Sequence, residues 1–309
     1  MIISVSRRCD IPRFQFDRFM EQLDAGFTDV VNPFNSNQVR HVSLRPNDVD
    51  VLVFWTRDPS SILEYAEDLE SRGFRFYVMT TLTGYPPELE PNMPSRDAVI
   101  AALTGLATRL GTNRVIWRYD PVFLTTITDA QFHRRNFTEL SNALSGTVKQ
   151  VIISVYDEYR RVKGRLALRE WAGIFKVFPH IDEEDLFSGT GGPRSGGKGN
   201  GKTAAPANGL ANGPLTGEVR ELLRDLADIA SRQGMEMQAC AEEDLSGLGI
   251  KKGACIDADL IGRLWGIKTW GKKDRYQRPF CGCVPSVDIG RYGLCPAGCV
   301  YCYAHTAQK

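Results

Sequence analysis

The chain has 309 residues, 42% of them hydrophobic and 24% charged, and its formal net charge is +1. These proportions are ordinary for a globular protein with a sizeable buried core. The near-zero net charge excludes a whole-molecule electrostatic attraction to nucleic acid or to a membrane. No stretch approaches the ~20 apolar residues that span a bilayer, and the start of the chain lacks a secretory leader pattern. We therefore expect a cytoplasmic protein with no membrane partner.

Short apolar runs alternate with amphipathic stretches along most of the chain. The apolar runs predict strands at residues 2–6, 27–34, 49–56, 74–81, 114–119, 149–155 and 236–242. The amphipathic patterns predict helices near residues 14–25, 60–72, 96–110, 129–144, 216–233 and 257–265. Strands rich in Val, Ile and Phe that alternate with helices favour a parallel sheet of βαβ units. About six such units in tandem predict the α/β class and a partial or complete parallel β/α barrel, similar to a TIM barrel.

One segment departs from this alternation. Ten of the thirty residues at 188–217 are glycine, which is typical of a flexible insertion. The stretch 196–203 fits the spacing of a phosphate loop, but no apolar strand precedes it, so we do not expect nucleotide binding there. The sequence thus divides into a β/α barrel core at 1–187, the glycine-rich insertion at 188–217, and a final part at 218–309. That final part contains the last barrel elements and a C-terminal cysteine-rich segment.

Seven of the eight cysteines fall in the last 70 residues, and only Cys9 lies elsewhere. In a reducing compartment, clustered thiols serve as metal ligands or reactive groups more often than as disulfides. The cysteine-rich segment also has few periodic apolar residues. Metal coordination is therefore a natural substitute for a hydrophobic core in this part of the chain.

Three of these cysteines form a compact motif at the end of the chain. Cys295, Cys299 and Cys302 can bring three thiolates to one point through a tight loop, because Gly293 and Gly298 supply turn conformations. Three thiolates suit a soft metal, and three thiolates on an iron-sulfur cube leave one iron open to an outside ligand.

The other four C-terminal cysteines are candidates for a second metal site. Four thiolates would close such a site, which would hold either a second 4Fe-4S cluster or a structural zinc. The alternative is that some of them are buried small residues, which is common for free cysteine. The four are Cys240, Cys255, Cys281 and Cys283.

The C-x3-C-x2-C motif, with Tyr301 just before its last cysteine, resembles the signature of the radical S-adenosylmethionine superfamily. The whole chain also resembles a family of domains of unknown function that carries such a motif at its C-terminus. The matching stretches are SRRCDIP (6–12), NPFN (32–35), VFWTRDP (53–59), TLTGY (81–85), IWRYDP (116–121) and CGCVPSVDIGRYGLCPAGCVYCYA (281–304).

The resemblance implies a cofactor set and a reaction type, and it leaves the substrate open. In the superfamily, the three cysteines hold a 4Fe-4S cluster, and the amino and carboxylate groups of S-adenosylmethionine bind its fourth iron. The aromatic residue, here Tyr301, lies near the adenine. One electron then cleaves a carbon-sulfur bond and yields a carbon radical. The resemblance therefore implies an enzyme with a reducing electron-donor protein as partner.

Polar residues recur where the predicted strands end. In a parallel barrel these ends share one face, which carries the chemistry. Arg118 and Asp120 are one residue apart and would point to the same side of a strand. We predict them as catalytic residues, because arginine can hold the carboxylate of a methionine moiety and aspartate a ribose hydroxyl. An internal ion pair at the barrel mouth is the alternative. Cofactor binding is predicted for Asn32, Arg57 and Glu242.

A basic C-terminal region leaves a competing hypothesis open. Residues 251–309 contain ten Lys or Arg and four Asp or Glu, with aromatic residues among them. That composition permits contact with nucleic acid, and the chain would then be a non-enzymatic binding or electron-transfer protein stabilised by iron-sulfur or zinc. A solvated basic face around an anionic cluster is the simpler account, so nucleic acid is not favoured.

Overall fold

The computed structural model describes residues 1–33, 35–178, 215–268 and 272–305. The glycine-rich segment predicted at 188–217 lies outside the described residues up to residue 214, and so does the phosphate-loop-like stretch at 196–203. No helix of the described part is both long enough and apolar enough to cross a membrane.

Ten strands and eight α-helices are present in the described residues. The strands are β1 (Ile2–Val5), β2 (Phe27–Asn32), β3 (Asn35–Ser43), β4 (Val51–Thr56), β5 (Phe76–Thr81), β6 (Val115–Val122), β7 (Gln150–Val155), β8 (Glu236–Ala239), β9 (Lys251–Lys252) and β10 (Val287–Asp288). The helices are α1 (Ile11–Phe14), α2 (Phe16–Ala25), α3 (Ser60–Ser71), α4 (Arg96–Leu110), α5 (Ala130–Ala143), α6 (Arg160–Trp171), α7 (Gly217–Arg232) and α8 (Ala258–Trp265).

Eight of the strands form one parallel sheet in the order β10-β1-β4-β5-β6-β7-β8-β9. This confirms the predicted α/β class and the parallel sheet. From β1 to β9 the neighbours follow chain order, as in a β/α barrel. The two edge strands, β9 and β10, are not hydrogen-bonded to each other in the described structure, so the sheet is open at that seam.

The sheet is covered on both faces by apolar side chains. In β4, Leu52 and Phe54 join a core that also contains buried residues of α2, α3, α4, α5 and α7. The alternate residues Val53 and Trp55 point to the opposite face, where they pack with residues of α8 and with Val284. We call this opposite face the inner face of the sheet and the face of Leu52 and Phe54 the outer face. Because both faces are buried, the strands contain near-continuous apolar runs, which is why they can be predicted from the sequence.

The C-terminal region is part of this core rather than a separately stabilised tail. Ile256, Ile261 and Val284 are buried against the inner face of the sheet, and Ile289 is buried on the outer one. The expectation that this region has little hydrophobic means of staying folded is therefore wrong. Its apolar residues are spaced irregularly and become a core only when α8 and the chain after it lie across the sheet.

The second predicted strand does not join the parallel sheet. β2 pairs with β3 in an antiparallel hairpin, and most of β3 is exposed. The interpretation of residues 27–34 as a unit of the parallel array is therefore wrong, and β3 was not predicted. A strand-like residue pattern does not identify the strand's partner, and an exposed hairpin strand has no buried face to produce an alternating signal.

Asp288 joins the C-terminal strand β10 to the first strand of the sheet. This buried carboxylate accepts hydrogen bonds of 2.8 Å from the side chains of Ser4 and Ser6 and from the backbone N–H of Arg7. The chain approaches Ser6 so closely that a Cβ on Gly290 would lie 1.8 Å from the Ser6 Oγ. The end of the chain is therefore anchored to its beginning.

His133 on α5 makes the stability of the fold sensitive to acid. Its Nε2 lies 3.3 Å from the Phe123 carbonyl, which can only accept, so Nε2 carries the hydrogen and Nδ1 accepts from the Tyr119 hydroxyl at 2.8 Å. The neutral ring is thus satisfied inside the core. Burial lowers the pKa of His133 from 6.5 to about 4, because a charged ring would be poorly solvated there.

We expect this histidine to reduce the free energy of unfolding in acid. The unfolded chain binds a proton near pH 6.5 and the folded chain only near pH 4, so stability is complete above 6.5 and falls by up to about 3 kcal/mol on the way to pH 4. The variant His133→Gln should show a shallower fall across this window when denaturant midpoints are compared. The surface variant His41→Gln is the control, and equal slopes in both variants would contradict the assignment.

Candidate functional site

The C-terminal segment passes across the carboxyl ends of the parallel strands. The backbone N–H of Asp10, which lies beyond β1, and that of Ala297 donate to the Cys295 sulfur. Arg57, which directly follows β4, donates to the Tyr301 hydroxyl at 2.6 Å. The three-cysteine motif therefore lies at the edge of the sheet where a parallel β/α architecture collects its functional groups.

The three cysteines of the motif lie near one another. Cys299 is buried and Cys295 and Cys302 are half-buried, and the three are within electrostatic range of one another. All three thiols are free. Burial raises the pKa of Cys299 to about 12, although the nearby Arg57 guanidinium acts in the opposite direction. The loop can close because Gly298 has a φ of +74°, a conformation that favours glycine.

A buried polar network lies directly behind this motif. The Glu90 carboxylate accepts from Arg57 at 2.8 Å and from the Thr83 hydroxyl at 2.6 Å, and the Tyr301 hydroxyl also donates to it. The Tyr301 ring contacts that of Phe123, with centroids 5.6 Å apart. Tyr301 is therefore held inside the protein by its hydroxyl, and its predicted place beside an adenine stays a prediction.

Arg165 brings a second guanidinium to the motif. From α6 it donates to the Cys302 carbonyl, and it lies within electrostatic range of Cys299 and Cys302. Its Nε and Nη1 are buried and have no hydrogen-bond partner among the described residues. Burial lowers the pKa of this arginine. An arginine with two unused buried donors beside three thiols is suited to hold an anion.

Arg118 and Asp120 form the internal ion pair that was the alternative interpretation of this pair. Asp120 also accepts from the Ser154 hydroxyl, and the Arg118 guanidinium lies 4.8 Å from the centre of the Trp55 ring. The Nε of Arg118 and the indole N–H of Trp55 are buried without a partner in the part of the chain that the structure describes. Two N–H donors, one on Arg118 and one on Trp55, are therefore available on the inner face of the sheet.

The remaining predicted cofactor residues lie in different places. Glu242 follows β8 and accepts the backbone N–H of Val155 at 3.0 Å, and burial raises its pKa to about 7. Glu242 lies within electrostatic range of Tyr159, whose ring centroid lies 5.1 Å from that of Tyr303. Asn32 is instead in the hairpin outside the sheet, where its amide donates to a glutamine at 2.7 Å.

The other four C-terminal cysteines form one group, which we call the four-cysteine cluster: Cys240, Cys255, Cys281 and Cys283. The sulfur atoms of Cys240 and Cys255 are 3.3 Å apart. Cys240 and Cys283 are each within side-chain hydrogen-bonding distance of the other three thiols. Those hydrogen bonds lower the pKa of Cys283 and raise that of Cys240. Residues from three separate segments of the chain meet at this point, which spacing alone could not predict.

Neither set of cysteines is already arranged around an ion. No group of three or more His, Cys, Asp or Glu side chains in the described ranges is arranged so that it could hold a metal ion. Binding of a metal or cluster at either set would therefore require side-chain adjustments.

A comparison with protein-family models assigns the chain to a family. The family described as Domain of unknown function (DUF1848) matches residues 2–186 and 203–304, which is nearly the whole chain. The chain belongs to the DUF1848 family. A search of curated proteins found no significant match.

Two clefts in the described part of the DUF1848 chain lie beside the cysteines rather than at them. One, of about 360 Å³, is formed by α2, the start of the hairpin and residues 289–294. The other, of about 260 Å³, lies on the hairpin and includes Asn32 and Arg8. Neither is lined by a cysteine. Since only the cysteines supply soft-metal or redox chemistry, we take them as the candidate site of the DUF1848 fold.

Sequence reasoning missed several residues that contact the cysteine groups in the DUF1848 chain. Glu90 and Arg165 lie beside the three-cysteine motif, and Arg7 and Arg278 lie beside the four-cysteine cluster. Arg7 lies two residues beyond β1 and could have been considered as a strand-end residue. Glu90 lies in the loop between β5 and α4, well beyond the end of the strand. Arg165 is on a helix with a weak amphipathic pattern, and no sequence signal separates it from a surface arginine.

Proposed function

We propose that the DUF1848 chain is a radical S-adenosylmethionine-type iron-sulfur enzyme. Cys295, Cys299 and Cys302 would bind a 4Fe-4S cluster and leave its fourth iron to S-adenosylmethionine. The observation that carries the proposal is the gathering of three free thiols at the carboxyl edge of a parallel sheet, with Arg57 and Arg165 beside them. When bound, this cofactor pair supplies an electron for reductive cleavage of a carbon-sulfur bond.

The charges around the motif support a cluster. A 4Fe-4S core held by three thiolates is an anion, and hydrogen bonds to its sulfurs stabilise the reduced state. Two guanidiniums lie within electrostatic range of Cys299, and two backbone N–H groups donate to the Cys295 sulfur. The three thiols are within electrostatic range of one another and therefore lie close enough together to be considered as ligands of one cluster. The charges and donors around the three-cysteine motif are therefore compatible with a 4Fe-4S cluster.

Residues beyond the motif would bind the small molecule and protect the reaction. The unused donors of Arg165 suit the carboxylate of a methionine moiety, and those of Arg118 and Trp55 suit a polar substrate on the inner face. Glu242, with a pKa of about 7, can hold or release a proton near neutral pH. Aromatic rings behind the motif exclude water from a reactive intermediate.

The test is anaerobic reconstitution with iron and sulfide, followed by reduction in the presence of S-adenosylmethionine. We expect a brown protein with about four irons per chain at this motif, and formation of 5′-deoxyadenosine. Arg165→Gln should slow that formation about ten-fold or more, because a charge-assisted contact is lost. Lys163→Gln is the matched control, since Lys163 is an exposed cation on the same helix.

One observation favours a second function. Neither of the two clefts described above is lined by a cysteine, as would suit an electron-transfer protein that binds no small molecule. In that case the reconstituted protein would be brown, would undergo reduction, and would neither bind S-adenosylmethionine in calorimetry nor form 5′-deoxyadenosine. A colourless protein that binds only zinc would overturn both functions.

A further inference from the structure

Two sulfurs of the four-cysteine cluster lie close to the separation of ligands on a single ion. Two thiolates on one tetrahedral zinc, with Zn–S bonds of about 2.3 Å, are about 3.8 Å apart. The Cys240 and Cys255 sulfurs are 3.3 Å apart, and the other two thiols are each within hydrogen-bonding distance of Cys240. A cube distributes its thiolates over different irons, so their sulfurs lie further apart than on one ion. The sulfurs would have to separate only slightly to admit one ion.

The backbone is shaped to bring these cysteines together. A Cβ on Gly282 would lie 2.9 Å from the Gly253 carbonyl, and one on Gly253 would lie 3.0 Å from the Ala239 carbonyl. Two glycines therefore allow the loop of Cys281 and Cys283 to pack on the chain between β9 and Cys255. Side chains at these positions would push the sulfurs apart.

Backbone N–H donors and guanidinium groups lie beside the sulfurs of the cluster. The N–H of Ile256 donates to the Cys283 sulfur at 3.3 Å, and the N–H of Cys283 lies 3.5 Å from the Cys281 sulfur. Such donors to the sulfur are typical of outer-shell support at metal sites. Three guanidiniums lie within electrostatic range of the cluster and are held in place by aspartates; the pairs are Arg7 with Asp288, Arg118 with Asp120, and Arg278 with Asp157.

We propose that the four-cysteine cluster binds one zinc ion in a closed, structural site. Four thiolates complete the tetrahedron, so no position remains for substrate, and the thiols lose their protons to solvent on binding. The ion would join the end of β8, the chain after β9 and the segment before β10 across the open seam of the sheet. This proposal goes beyond the proposed function and does not depend on it.

Elemental analysis of a chain without the three-cysteine motif tests the site. In the variant Cys295/Cys299/Cys302→Ala, any bound metal must be held by the four-cysteine cluster, and we expect about one zinc per chain. Cobalt added in place of zinc should give the strong visible bands of a tetrahedral four-sulfur site. Adding Cys281→Ser and Cys283→Ser should remove the zinc, whereas adding Cys9→Ala should retain it.

Two results would overturn the zinc site. About four irons per chain and no zinc in the motif-free variant would indicate a second cube. A Cys240–Cys255 disulfide with no metal, detected by mass spectrometry of the anaerobic protein, would indicate a thiol pair. If the serine variant fails to fold, a chelator provides the same comparison on the motif-free chain, where zinc removal should lower the melting temperature and zinc addition restore it. An unchanged melting temperature contradicts the proposal.

Discussion

Replacing Cys295, Cys299 and Cys302 together with alanine is expected to remove about four irons per chain from the reconstituted protein and to abolish 5′-deoxyadenosine formation. The three thiols are the proposed protein ligands of the cluster, so their loss leaves it unbound. The measurement is iron and sulfide content with the visible spectrum of the anaerobic protein. Two of the three cysteines are only half-buried, so little packing is lost with them and the fold should persist.

The control for this experiment is Cys9→Ala. Cys9 is a buried thiol near Cys295 that lies outside the motif. We expect this variant to keep all of its iron. Equal iron content in the triple variant and the wild type would move the iron to the four-cysteine cluster and contradict the proposed function. Loss of iron from Cys9→Ala would instead identify a fourth protein ligand.

Removing the Asp288 carboxylate should destabilise the whole fold. Asp288→Ala leaves the Ser4 and Ser6 hydroxyls without their acceptor, removes the buried partner of Arg7, and frees β10 from β1. Breaking a buried, hydrogen-bonded charge pair costs about 3–5 kcal/mol. For a chain of this size we expect the melting temperature to fall by roughly 10 °C.

The comparison for Asp288 uses a second carboxylate in the same C-terminal region. Asp259 is exposed in the first turn of α8, so Asp259→Ala should change the free energy of unfolding by no more than about 0.5 kcal/mol. Asp288→Asn keeps the shape and loses the charge, and should fall between the two. A melting temperature of Asp288→Ala equal to that of Asp259→Ala would show that β10 is not needed to hold the sheet.

The predicted elements differ in how well their residues specified them. The apolar runs that became β4, β5, β6 and β7 were predicted because strands buried on both faces need continuous apolar sequence. Residues 27–34 met the same criterion, yet β2 pairs only with an exposed hairpin strand. Helix α6 was not predicted, because only Val162 and Leu166 of its described side chains are buried.

In the candidate site, too, some residues could be predicted from the sequence and others could not. The spacing of Cys295, Cys299 and Cys302 identified the motif because neighbouring residues of one loop must converge. The four-cysteine cluster could only be proposed as a set, because its members span residues 240 to 283 and their contacts depend on how three segments fold. No feature of the sequence distinguished Arg165, because an arginine on a helix is ordinarily a surface residue.

The sequence alone therefore determined the class of the fold and the clustering of cysteines near its C-terminus, because apolar periodicity and short-range spacing are local properties. Only the tertiary structure decided where those cysteines lie. Closing the chain through Asp288 carries the last residues back to the first strand. Packing then places the four-cysteine cluster against one face of the sheet and the three-cysteine motif near the carboxyl ends of its strands. Contacts between residues hundreds of positions apart follow from packing, and packing is not a property of any one segment.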